Sequence, residues 1–141
     1  ITSASDKEAF SKEAYRLLKP GGKLIIADYF KSNEDQVDEK ELLEKWRSLW
    51  SMAPFLTIGN YSKIFSKNGF NLIINRDFTE QITPTAKRMY WSYLLGGPLA
   101  IAYNLFNKPS KFAKHHYKSG LYQYKALKKK LWSYNVMLFE K

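Results

Sequence analysis

No cysteine occurs anywhere in the sequence. Disulfides, thiolate metal sites and a cysteine nucleophile are therefore excluded, and the composition fits a reducing compartment, so a cytoplasmic protein is expected. Histidine is nearly missing: His115 and His116 are the only two, and no third metal ligand stands near them in the sequence. Acidic residues all but vanish from the second part of the chain. Residues 61–141 carry 14 Lys and Arg against three acids (Asp77, Glu80, Glu140), a net of +11, whereas residues 1–60 carry 9 against 10, a net of −1. A field confined to one part favours anionic partners such as phosphate groups, acidic lipid headgroups or nucleic acid. Arginine is scarce there and no recognition motif accompanies the lysines, so nucleic acid is not the expected partner. No apolar run reaches the ~20 residues of a membrane span. The longest, Trp91–Phe106, has sixteen and is interrupted by Gly96-Gly97-Pro98. Internal repeats and low-complexity tracts are also lacking.

Hydrophobic residues make up 45% of the 141 positions and aromatics 16%, which is the composition of one globular domain with a real core. The stretch Ala14–Phe30 organises the rest. Ser5-x-x-Glu8 matches a capping box, so a helix is expected to begin near Asp6. Phe10, Ala14, Leu17 and Leu18 form its apolar stripe, and Pro20-Gly21-Gly22 ends it. Leu24-Ile25-Ile26-Ala27 is a short apolar run, expected as a strand covered on both faces. A helix leading directly into a buried strand is half of a parallel α/β unit, whose neighbours are expected upstream of Ile1. Leu42, Leu43, Trp46, Leu49 and Trp50 predict a helix over about 38–52, and Tyr61, Ile64 and Phe65 a shorter one closed by Asn68-Gly69. Phe70–Phe78 is a second strand candidate. Thr83-Pro84 predicts a helix start, and Gly-Gly-Pro predicts two short helices within Trp91–Phe106. Eight lysines then lie between Lys108 and Lys130, interleaved with Phe112, Tyr117, Tyr122 and Tyr124. Trp132–Phe139 alternates as a third strand, with Trp132, Tyr134, Val136 and Leu138 on one face.

The helix, the turn Leu17-Leu18-Lys19-Pro20-Gly21-Gly22 and the strand Leu24–Phe30 together resemble the late core of the class I S-adenosylmethionine-dependent methyltransferases. The likeness is to small-molecule enzymes such as the ubiquinone/menaquinone and tocopherol C-methyltransferases, in which this segment is the fifth strand and the helix before it. The resemblance covers most of the chain and is sharpest over residues 5–30. It implies an α/β fold: the C-terminal part of a Rossmann-like methyltransferase sheet, with a helical cap inserted before the last strand. Residues 1–78 and 131–141 would be core, and 79–130 the substrate cap. The implied cofactor of the intact enzyme is S-adenosylmethionine, yet the family's Gly-rich loop after its first strand is not in this chain. Gly21-Gly22 precedes a strand, and Gly96-Gly97 is followed by Pro98. The chain begins at Ile1 rather than Met, so a fragment or processed product is expected. Its partner would be the missing N-terminal half of the same enzyme, and it would be inactive alone.

Methyl transfer is an in-line displacement at a sulfonium carbon, which needs a positioned nucleophile, a dry pocket and at most one base. Asp28 and Tyr29 end the first strand and would border the site by the rule that ligands gather at strand carboxyl ends; the alternative is a hydrated strand end. His115 or His116 is a weak candidate base, the alternative being a solvated basic helix with Lys114 and Lys118. Trp46, Trp50, Tyr90, Trp91, Tyr93, Tyr117 and Tyr124 either line a pocket for a small hydrophobic or aromatic acceptor or pack the helices onto the sheet. Trp91–Phe106 beside the lysine run is either a peripheral membrane contact or a buried cap helix. Two further readings stay open: a non-catalytic module docking on an anionic membrane or partner, and self-association through an unpaired sheet edge.

Overall fold

The structure, a computed structural model, describes residues 4–141, apart from the side chains of Lys111 and Phe112. The aromatic role expected of Phe112 thus lies outside the described residues.

Helix α1 spans Lys7–Leu17, with Asp6 rather than Ser5 as its N-cap; the Asp6 carboxylate accepts the Ala9 N–H at 2.8 Å. Its C-terminus is closed from far along the chain. The Lys141 ammonium donates to the carbonyls of Tyr15 and Leu18 at 2.6 and 2.7 Å, a cation placed where the helix dipole favours one. Leu17 departs from the expected stripe and is exposed, because Phe10, Ala14, Tyr15 and Leu18 already fill the contact with the core.

Strand β1 (Lys23–Lys31) pairs with β3 (Trp132–Glu140), which pairs with β2 (Asn71–Asp77), both antiparallel. The order is β1-β3-β2. β1 and β2 therefore run in one direction with β3 reversed between them. β2 and β3 pair across the long intervening segment, with a register shift between Leu72 and Ile74.

The sheet's two faces differ. Ile26, Asp28 and Phe30 point to the face covered by α1 and by α3 (Ile58–Lys67), where Tyr61, Phe65, Phe70, Met137 and Phe139 complete a core of stacked and tilted rings. On the other face Ile25 is 68% exposed and Ala27 is exposed beside it. The expectation that this strand is covered on both faces is thus corrected within these residues. Nothing described here packs over Ile25, Ala27 and Ile74, whereas the end of the same face at Tyr29 and Tyr134 is covered by helices. Among the described residues no strand pairs with the outer edge of β1, whose end meets only the loop residue Thr57 through a bridge at Lys31.

The covering helices all leave from that end. α2 is shorter than expected, Leu42–Leu49, because Asp38 caps it from outside: its carboxylate accepts the Leu43 N–H at 2.8 Å. α4 runs unbroken over Thr79–Phe106, correcting both the start at Thr83-Pro84 and the break at Gly-Gly-Pro. It begins a turn early because Asp77 accepts the Thr79 N–H at 2.7 Å while Thr79 Oγ1 accepts from Tyr134 N at 2.9 Å. It continues through Pro98, which forfeits one backbone bond, while the Tyr117 ring stacks parallel to Tyr93 (6.1 Å, 9°) and lies 3.7 Å from where a Cβ on Gly97 would stand. α5 (Lys111–His116) and α6 (Ser119–Lys128) return the chain to β3. Leu42, Leu43, Trp46, Ala86, Ala126, Leu131 and Trp132 form the second core.

Candidate acceptor site at the carboxyl ends of the strands

β1 ends at Lys31 and β2 at Asp77, the end from which α2 and α4 depart and to which α6 returns. Alternation along β1 sends its last residues in opposite directions. Asp28 is buried on the α1–α3 side, where its carboxylate accepts the Tyr29 N–H at 2.8 Å. Burial pushes the nearby Lys7 ammonium below its ordinary pKa, and the Asp28 charge opposes that shift. Asp28 thus belongs to the polar part of the first core. Tyr29 points the other way, into the helical side. Its ring meets Trp46, Trp132 and Tyr134 edge-on at 4.9, 5.2 and 5.0 Å, and Gln123 Nε2 donates to its hydroxyl at 3.4 Å. Burial, and then Tyr134, raise the Tyr29 phenol above its ordinary pKa. It is a neutral hydroxyl inside an aromatic box.

The remaining candidates separate. Trp46 is wholly buried in that box. Trp50, at the end of α2, is partly exposed, with its ring 4.7 Å from that of His116. His116 Nδ1 lies 2.9 Å from the Leu49 carbonyl oxygen, so it serves as a donor there, and His115 is exposed. Tyr117 stacks on Tyr93 above a small recess of about 210 Å³ lined also by Leu94, Gly97, Pro98 and Ile101. Trp91 is largely exposed.

Tyr90 stands in the more substantial cavity. Its ring lies 4.9 Å from that of Tyr124. With Tyr122 and Leu42 these two enclose about 540 Å³ between α2, α4 and α6, and Lys40, Lys45, Lys125, Lys128 and Lys129 complete the lining. That volume suits one small organic molecule. Tyr122, Lys125 and Lys129 share one helical face at i, i+3 and i+7, a spacing legible in the sequence. Lys40 and Lys45 join them only through the packing of α2 on α6, which no local pattern announces.

Among the described residues no helix is long and apolar enough to cross a membrane, and no group of three or more His, Asp or Glu is placed to hold a metal.

No protein-family model matches the chain. A curated relative, the 2-methyl-6-phytyl-1,4-hydroquinone methyltransferase of Synechocystis, is 27% identical over 96 residues, covering 64% of this chain and 30% of that protein. A phosphoethanolamine N-methyltransferase of Haemonchus contortus, solved with phosphomonomethylethanolamine and S-adenosylhomocysteine, superimposes with a TM-score of 0.69 at 18% identity, over 100% of this chain and 31% of that one. A cyclopropane synthase of Mycobacterium tuberculosis does so with a TM-score of 0.66 at 16% identity, over 96% and 50%. The chain thus spans about a third of the curated relative it matches and a third to a half of these structures. Its fold is that of the C-terminal part of a Rossmann-like, class I methyltransferase, as the helix–turn–strand resemblance implied.

Proposed function

We propose that this chain is the acceptor-facing, C-terminal part of an S-adenosylmethionine-dependent methyltransferase acting on a small hydrophobic or aromatic molecule. In this reading residues 79–130 form a cap over the acceptor and the remainder belongs to the α/β core. The observation that carries it is the asymmetry of the sheet. Helices and aromatic rings crowd the carboxyl ends of β1 and β2, where open α/β sheets hold ligands. Among the described residues nothing covers the rest of the Ile25–Ala27 face or pairs with the outer edge of β1. A sheet left open in that way is one to which further strands and a covering helix belong.

When bound, the cofactor supplies an electrophilic methyl group on a sulfonium. The residues of this chain do not themselves fit it. Gly21 makes an exposed turn before β1, and Gly96 and Gly97 lie inside α4, so none opens a strand-to-helix turn that would cradle it. What this chain contributes is on the acceptor's side. Tyr29, Trp46, Trp132 and Tyr134 build a rigid aromatic core beneath the helices, and Tyr90, Tyr122 and Tyr124 wall a cavity between α2, α4 and α6. Fixing an acceptor in that cavity is the positioning contribution to an in-line displacement. The test is transfer of labelled methyl from S-adenosylmethionine to a prenylated hydroquinone by the protein made from the full reading frame, beside a titration of the 141-residue chain with the cofactor. Turnover by the former and no binding by the latter are expected. Micromolar cofactor binding by the isolated chain would sink the proposal.

A second reading has its own observation. Trp91, Leu94, Leu95, Leu99, Leu105 and Phe106 recur at helical spacing along the second half of α4 and are exposed, Leu95 at 75% and Phe106 at 87%. An apolar stripe on a helix in a strongly basic segment is the pattern of a peripheral membrane contact. Leu95→Gln with Leu99→Gln should abolish co-sedimentation with anionic vesicles; unchanged sedimentation of that variant would discard the membrane reading.

A further inference from the structure

The cavity between α2, α4 and α6 has a divided chemistry that the packing of the helices does not explain. Its inner wall is Leu42 and three tyrosine rings, and the rest of its lining is five lysines with no acidic side chain. Lysines in the last turn of a helix are ordinary, since the dipole favours cations there. That accounts for Lys125 and Lys128, which lie in the last turn of α6. It does not account for Lys40 and Lys45, which arrive from a segment more than seventy residues earlier. Lys45 is held in part by Glu41 at 3.7 Å and by the Lys40 carbonyl at 2.8 Å. The other four have no carboxylate partner among the described residues, which leaves net positive charge along this rim.

We infer that this cavity binds a single-chain amphiphile with a phosphate-type head, the head among Lys125, Lys128 and Lys129 and the apolar neck between Tyr90 and Tyr124. Several lysines lining one cavity favour a doubly charged head over a singly charged one, because each added charge meets the whole field. Phenol rings and Leu42 favour an alkyl or aryl body over a bare inorganic ion. This deepens the acceptor proposal and rests on it only for the claim that the bound molecule is the one methylated. Binding itself needs no cofactor and is measured without one.

The probe is dodecyl phosphate, titrated below its micelle concentration into the 141-residue chain at low salt, with inorganic phosphate, dodecyltrimethylammonium and equimolar phosphatidylcholine/phosphatidylglycerol vesicles in parallel. Saturable one-to-one binding of dodecyl phosphate is expected, weakened by added salt. Inorganic phosphate should bind at least tenfold more weakly and the cationic amphiphile should not compete. Lys125→Gln/Lys128→Gln/Lys129→Gln should weaken binding at least tenfold with the thermal midpoint retained. Should that variant unfold, Lys40→Gln/Lys45→Gln on the opposite wall carries the test, with a several-fold loss expected. Equal binding by a folded lysine variant, equal binding of the cationic amphiphile, or binding to vesicles without binding of the monomeric probe would each overturn the inference. A chain that binds dodecyl phosphate while the full-length protein transfers no methyl group would leave this site standing and remove the catalytic reading.

Discussion

At Gly120 α6 approaches the backbone of α4 closely, which makes the helical part testable by one methyl group. A Cβ built on Gly120 would stand 2.3 Å from the Met89 carbonyl oxygen and 2.6 Å from its carbon. The obstacle is backbone, so no side-chain rotation relieves it. Restoring an ordinary contact requires α6 to back away by about 1 Å along a packed interface, and overpacking of that kind costs ~1–3 kcal/mol. The same substitution in an open helix gains up to ~1 kcal/mol, because alanine loses less backbone entropy than glycine. Gly96 supplies the control: it too lies inside a helix, and nothing lies within 4 Å of its Cβ position. Urea unfolding followed by the fluorescence of the buried Trp46 and Trp132 reads both. Gly96→Ala should raise stability by ~0.5–1 kcal/mol, and Gly120→Ala should lower it by at least ~1 kcal/mol while loosening the tyrosine-walled cavity. A Gly120→Ala protein as stable as the parent would refute the α4–α6 contact on which the proposed acceptor site depends.

Three other substitutions probe the first core and the open face. Phe65 is fully buried among Tyr61, Phe70 and Phe139. Phe65→Ala should cost ~3–5 kcal/mol in the same unfolding assay, a large share of any domain's stability. Ile25→Ala, on the bare face, should stay within ~0.5 kcal/mol in this chain, whereas a loss of several kcal/mol would mean that the face is already covered. The Tyr61 hydroxyl is buried without a hydrogen-bond partner among the described residues. Burial, with the Asp28 charge second, raises its pKa well above the ordinary value. The folded state therefore keeps a proton that the unfolded chain releases near pH 10, and stability falls as pH rises above that value. Tyr61→Phe should leave neutral-pH stability unchanged or slightly higher and flatten the alkaline loss. A midpoint-versus-pH series shows whether it does.

Much of the α/β part was readable because its signals are local. Pro20-Gly21-Gly22 and Asn68-Gly69 force turns, and the alternation of Trp132–Phe139 assigns each side chain to the face it occupies. Leu17 and Ile25 were misassigned for one reason: apolarity marks what a residue tolerates, and the covering element decides whether it is buried. The Gly-Gly-Pro in α4 read as a break because a proline inside a helix is costly in isolation. The parallel stacking of Tyr117 on Tyr93 beside Gly97 is a tertiary contact that local propensity does not contain. The same limit governed the candidate site. Tyr29, Trp46 and Tyr90 were marked by chemistry and position, and Lys125, Lys128 and Lys129 by their density. Lys40 and Lys45 were invisible as partners of α6, because the fold alone brings one lysine from just before α2 and one from within it to a basic helix.

The central claim is that this chain is one side of a methyltransferase whose other side holds the cofactor. Reading the coding sequence upstream of Ile1 tests it most directly. The account predicts an in-frame strand, a Gly-rich turn opening a helix, and an acidic residue about twenty positions further on, with strands enough to close the bare edge of β1. A start codon immediately before Ile1 would contradict it and leave the lysine-lined cavity and the exposed stripe of α4 as the functions to pursue.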